Sequence, residues 1–232
     1  MRKAKTEFYA QSEKEKNMEV SSKKVAFLGD SITEGSGASK VENRYTDVFG
    51  HISGAKVYNY GIGGTRIAPQ HAKSDDRSDL DFILRADEIE KDADVIVVFG
   101  GTNDFGHGDA PFGELSDTTD ETFCGSLRVL YEKLINRCPA AQIVVLTPLH
   151  RLSENVTVNE RGIPCKPLKA YVDAIRTIAE YYSLPVLDLW SVSGFQPHVD
   201  VIREKYMPDG LHPSDLGHAI LARKIHNFIK TL

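Results

Sequence analysis

Asp209 and His212 stand three residues apart in the run Asp209-Gly210-Leu211-His212-Pro213. That spacing lets the carboxylate turn back and accept a hydrogen bond from one imidazole nitrogen, leaving the other in the tautomer that can take a proton. Pro213 biases His212 toward an extended backbone, which presents the ring rigidly. A base held in this way suits a nucleophilic hydroxyl, and Ser31 offers one, placed just after the apolar run Val25-Ala26-Phe27-Leu28 stops at Gly29. Acyl transfer also needs donors for the developing oxyanion. The Ser31 backbone N–H, a glycine N–H in Gly61-Ile62-Gly63-Gly64 and the Asn103 amide could supply them. Each feature has a plainer reading. Ser31 could cap a helix, Asp209 and His212 could be half of a metal site or a helix-start cap, and Asn103 could brace its own turn. A metal site would need further ligands, and His71, His107 and His198 do not fall in ligand-spaced pairs.

These residues must be brought together by the elements between them. Four apolar residues from Val25 and five from Val95 to Phe99 read as inner strands of a parallel sheet. Lys56 to Tyr60, Gln142 to Thr147 and Pro185 to Leu189 read as three more. Both central runs end in glycine followed by polar side chains, Gly29-Asp30-Ser31 and Gly101-Thr102-Asn103-Asp104, and ligands in open α/β sheets bind at such carboxyl ends. Helices are expected over Tyr45 to His51, Asp79 to Glu90, Thr119 to Arg137 and Pro167 to Tyr182, and the run Asp209 to His218 is expected to open a last helix reaching about Ile229. Residues 105–117, 149–166 and 190–207 read as connections without regular structure. Strands alternating with helices predict an α/β fold around a five-stranded parallel sheet.

Composition narrows the function. The chain has 232 residues, 41% of them hydrophobic, and a net charge of −5, enough for one sizeable domain. Residues 23–232 are assigned to that domain and the polar stretch 1–22 to an N-terminal appendage. An acidic balance argues against a nucleic-acid or anionic-membrane surface. Three cysteines without a paired CxxC spacing argue against a disulfide framework and, with no apolar run before Val25, favour a cytoplasmic protein. Oligomeric state has no signature here.

Taken together, Gly29-Asp30-Ser31, the glycine loop after Asn59, Gly101-Thr102-Asn103-Asp104 and Asp209-Gly210-Leu211-His212 resemble, in order and spacing, the four blocks of the SGNH (GDSL) hydrolases. The likeness runs over residues 24 to 230. It implies a three-layer α/β/α fold of flavodoxin type, ester hydrolysis without a cofactor, and Ser31, His212 and Asp209 as catalytic triad. It also implies an oxyanion hole from Ser31 N, Gly64 N and Asn103, with Gly61 and Gly63 as shaping residues. Acyl esters, acetylated sugars, lysophospholipids and acyl thioesters all lie within that resemblance. Two other classes compete: a non-catalytic binding module, expected to have lost Ser31, Asn103 or His212, and a nucleotide-binding flavodoxin-like protein, expected to carry a phosphate loop. Asp109, Glu114, Asp117, Asp120 and Glu121 would repel anions if their loop overhung the site, and the connections at 149–166 and 191–207 lack a long apolar lid. Short, neutral esters are therefore the expected substrates.

Overall fold

The structure, a computed structural model, describes residues 20–74 and 76–232. Its elements in chain order are β1 (Lys24–Gly29), α1 (Ser31–Glu34), α2 (Tyr45–Ser53), β2 (Lys56–Gly61), α3 (Phe82–Arg85), β3 (Val95–Phe99), α4 (Thr102–His107), α5 (Phe123–Arg137), β4 (Gln142–Leu146), α6 (Leu168–Tyr181), β5 (Val186–Leu187), α7 (Leu189–Val192), α8 (Asp200–Tyr206) and α9 (Asp215–Ile229). The five strands are all parallel, in the order β2-β1-β3-β4-β5. This is the doubly wound flavodoxin-like arrangement, whose switch point lies between β1 and β3. The expected fold class holds.

The period of two along each strand sorts side chains to opposite faces. Ala26, Leu28, Ile96, Val98, Ile143 and Val145 face a layer made chiefly by α3, α5 and α6. Val25, Phe27, Val95, Val97, Phe99, Val144 and Leu146 face the layer of α2 and α9. Both faces are covered, so the central strands read as unbroken apolar runs. Of the predicted appendage, residues 20–22 are described, with Val20 buried in the second cluster; residues 1–19 lie outside the described residues.

Several boundaries differ from the sequence expectation. The stretch 79–90 is not one helix but a single α-turn, α3, between 3₁₀ turns at Arg77–Asp79 and Ala86–Glu88. Its Arg85 is turned inward, with Nε donating to Leu80 O and the rest of its guanidinium donating to the ends of β1 and β2 and to the Thr65 hydroxyl. α5 starts at Phe123, where the Thr122 hydroxyl accepts from Gly125 N. Residues 105–107 continue α4, and the stretch 190–207 contains most of α7 and all of α8. β5 pairs over only two residues. The region 149–166 holds only an isolated bridge between Val158 and Pro164. Cys124, Cys138 and Cys165 are free thiols, and no described helix is long and apolar enough to cross a membrane.

Candidate active site

Ser31 lies two residues beyond the end of β1 and opens α1. Asp30 takes the capping position: its Oδ1 accepts from Ile32 N at 3.0 Å. The reading of Ser31 as a helix cap is thereby displaced, and its hydroxyl is free for another partner. That partner is His212: Ser31 Oγ lies 3.0 Å from His212 Nε2. On the far side of the ring, Nδ1 is 2.7 Å from Asp209 Oδ2. Asp209 Oδ1 also accepts from the backbone N–H groups of Leu211 (2.9 Å) and His212 (2.7 Å). Burial pushes the Asp209 carboxyl up, but the hydrogen bonds from His212 and Leu211 outweigh it and hold the group below the usual aspartate value. With an anion at Nδ1, the imidazole carries its proton there and turns the Nε2 lone pair toward Ser31.

The loop that carries His212 is pinned to the loop after α1. Asp215 accepts from Ser39 N, Ser39 Oγ and Asn43 Nδ2. The buried His218 accepts from Tyr45 N at 3.2 Å and faces Ser36 O at 3.1 Å. Burial lowers its pKa, in keeping with a neutral ring. Below Ser31, the Tyr45 and Thr33 hydroxyls are 2.8 Å apart. Sequence reading missed these braces; the only sign of them was polar side chains in segments that otherwise read as core.

Of the three glycines after β2 begins to turn, each has a different task. A β-carbon on Gly61 would collide with the backbone of Thr33 and Glu34, so β2 can approach α1 only with glycine there. Gly63 N donates to Glu34 Oε2 at 2.7 Å, which removes it from the set of free donors. Gly64 has a φ of 77°, in the left-handed region. Among the described residues its N–H, like that of Ser31, has no acceptor in the protein. Glu34, one turn after Ser31 and also paired with Arg77, was not singled out from sequence.

Asn103 is buried in α4, and its Nδ2 donates to Thr65 O at 3.0 Å. It therefore ties its strand end to the glycine loop rather than bracing its own turn, and one amide hydrogen is left over. Next to it, Asp104 accepts from Ile67 N (3.1 Å) and Ala68 N (2.9 Å). Burial raises its carboxyl to about 6, and burial raises Asp30 to about 6 as well. The acidic residues after α4 are engaged away from these groups. Asp109 accepts from His71 N and Ala72 N, Asp117 accepts from Glu114 N and the Thr122 hydroxyl, and Glu121 approaches His71 at 3.7 Å. Asp109 thus ties its loop to the 71–72 backbone, while the Asp117 contacts hold the loop before α5. No group of three or more His, Cys, Asp or Glu side chains among the described residues is placed to hold a metal.

A parallel sheet with hydroxyl, imidazole, carboxylate and unpaired N–H groups gathered at its carboxyl edge defines a class, the ester-hydrolysing α/β enzymes. Within that class the chain belongs to the GDSL-like lipase/acylhydrolase family, whose sequence model matches residues 27–220. One solved structure shares 35% identity, with 92% of this chain and 98% of the other covered, at a TM-score of 0.79. A protein from Lactobacillus plantarum shares 31%, covering 91% and 98%, at a TM-score of 0.77. A lipase/acylhydrolase from Enterococcus faecalis has the same fold at 22% identity, covering 90% and 96%, with a TM-score of 0.63. Among curated proteins, none matches the sequence.

Proposed function

We propose that this chain is a serine esterase acting on short acyl esters of neutral alcohols, acetylated carbohydrates among them. The observation that carries the reading is the continuous relay from Ser31 Oγ to His212 Nε2 at 3.0 Å and from His212 Nδ1 to Asp209 Oδ2 at 2.7 Å. In this reading Ser31 Oγ attacks the acyl carbon while its proton passes to His212 Nε2. The carbonyl π pair moves onto oxygen, which faces Ser31 N–H, Gly64 N–H and the remaining Asn103 amide hydrogen. Collapse breaks the bond to the alcohol oxygen, which takes the proton from Nε2. A water then repeats the sequence on the acyl-serine and releases the acid. Asp209 orients the ring and stabilises the imidazolium; it does not take the proton.

Short acyl groups are favoured by the covering elements. Leu152, whose backbone N–H donates to Gly210 O at 3.0 Å, packs against Gly210 beside Asp209 and is 41% exposed. Beyond it, residues 149–166 supply no helix that could fold over a long chain. Lysophospholipids and acyl thioesters would use the same site and are distinguished by kinetics.

The test is a panel of p-nitrophenyl esters from acetyl to dodecanoyl, run beside acyl-CoA thioesters, with a fluorophosphonate probe to label the nucleophile. Labelling of Ser31, its loss in Ser31→Ala, activity indifferent to EDTA and a kcat/KM maximum at acetyl to butyryl are expected. A maximum at dodecanoyl or on acyl-CoA would move the substrate to the lysophospholipase or thioesterase reading. A folded protein that neither labels nor hydrolyses any member would be a binding module.

A further inference from the structure

Arg85 is 1% exposed, among the largest fully buried side chains of the chain, and lies below the carboxyl edge of the sheet. Burying a guanidinium is costly unless its donors are paired. Here four acceptors meet it. Nε donates to Leu80 O at 2.8 Å, Nη1 to Tyr60 O, and Nη2 to Gly29 O at 3.2 Å and to the Thr65 hydroxyl at 2.7 Å. Its ring partner is Phe82, with the guanidinium carbon 4.8 Å from the centroid.

Three of those acceptors sit where the site is assembled. Gly29 is the end of β1, two residues before Ser31; Tyr60 is next to the end of β2, where the glycine loop begins; Thr65 is the residue after Gly64. The Thr65 carbonyl in turn accepts from Asn103 Nδ2. One planar, rigid fork thus joins the nucleophile's strand to the loop bearing the Gly64 N–H, and through Thr65 reaches the Asn103 amide. Resting on the oxyanion-hole reading given above, we propose that Arg85 is a positioning residue that sets the spacing between the Ser31, Gly64 and Asn103 donors. A donor displaced by about 1 Å costs on the order of 100-fold in rate, so holding this spacing is where the arginine acts. Lysine cannot replace it, because a single ammonium on a flexible stem cannot serve carbonyls that diverge from a planar fork.

The experiment compares Arg85→Lys, Thr65→Val and Asn103→Ala, singly and in pairs, on p-nitrophenyl acetate, with active sites counted by fluorophosphonate and folding followed by thermal melts. Arg85→Lys is expected to lower kcat per titrated site by about 10 to 100-fold with KM within about twofold. In the Asn103→Ala background the same change should cost less than it does alone, since one of the three donors it positions is gone. Thr65→Val, which removes one acceptor of the fork together with the hydroxyl's own hydrogen bond to Ile62 O, should show the same kcat-specific and non-additive loss, and Thr65→Ser, which keeps both bonds, should restore kcat; this pair decides the matter if Arg85→Lys does not fold. Normal kcat per site in folded Arg85→Lys or Thr65→Val, or losses that simply multiply with Asn103→Ala, would overturn the proposal. A wild-type enzyme that hydrolyses no ester would instead remove the reading on which it rests.

Discussion

At the scale of the residue, Asn103 combines one observed hydrogen bond with one proposed role. One amide hydrogen goes to Thr65 O, and the other is the donor proposed above for the substrate oxygen. Asn103→Ala removes a donor that matters mainly in the transition state, so kcat should fall by about 100 to 1000-fold with KM little changed. Steady-state kinetics on folded protein checks this, and a variant with near-normal kcat would leave Asn103 as a tether only. Asn103→Asp is a less clean probe, because the new carboxylate would also face the Thr65 carbonyl. Asp30 makes a different prediction. Its carboxyl rises from 3.8 to about 6 because it is buried. Between those values the folded chain holds a proton that the unfolded chain has released, so this group's contribution to stability falls as pH rises through the window. The difference is about 3 kcal/mol once the group is fully ionised. The amide in Asp30→Asn would not titrate. The melting temperature of that variant relative to the wild type should therefore shift in the variant's favour by several degrees between about pH 4.5 and pH 7.5. A difference that stays constant across that range would show that Asp30 does not titrate there.

At the scale of the element, the site depends on how closely β2 and α1 pass. A methyl group on Gly61 has only the Thr33 and Glu34 backbone to displace, so Gly61→Ala should cost about 1 to 3 kcal/mol of stability and move Ser31 away from His212. A urea melt and kcat measured side by side test this; unchanged values for both would mean that the strand and helix can separate freely. The same contact shows what sequence could and could not yield. The strands at 24–29 and 95–99 were readable because both faces are covered, which makes apolar runs that need no partner information. Ser31, Asp209 and His212 could be picked out because each lies in a short motif whose chemistry is local. The segment 79–90 misled because Leu80, Phe82, Ile83 and Ile89 fit a helical stripe, whereas the winning term was one buried guanidinium seeking oxygen acceptors 20 to 56 residues away. Glu34 and Thr65 were silent for a related reason: their partners are set by tertiary proximity, and no local pattern announces them.

At the scale of the molecule, the candidate site hangs from the ends of β1, β2 and β3 and from the loop before α9. Ser31 and His212 are 181 residues apart in the chain yet share a hydrogen bond. Ser31, Gly64, Asn103 and the Asp209–His212 pair each follow a different strand of the doubly wound sheet, so on the proposed reading activity requires the whole sheet to be assembled. Contacts across that much chain are slow to form, and the anchors of the His212 loop, Asp215 with Ser39 and Asn43, lie at the start of α9. On refolding from urea, helical circular dichroism should recover first and esterase activity only with the slowest phase. An activity that returned with the earliest helical signal would place the closing of this pair before the sheet that carries it. On the proposed reading the long separation of Ser31 and His212 also acts as a safeguard: a molecule trapped short of the native state would hold its serine without its base, and would leave the esters around it untouched.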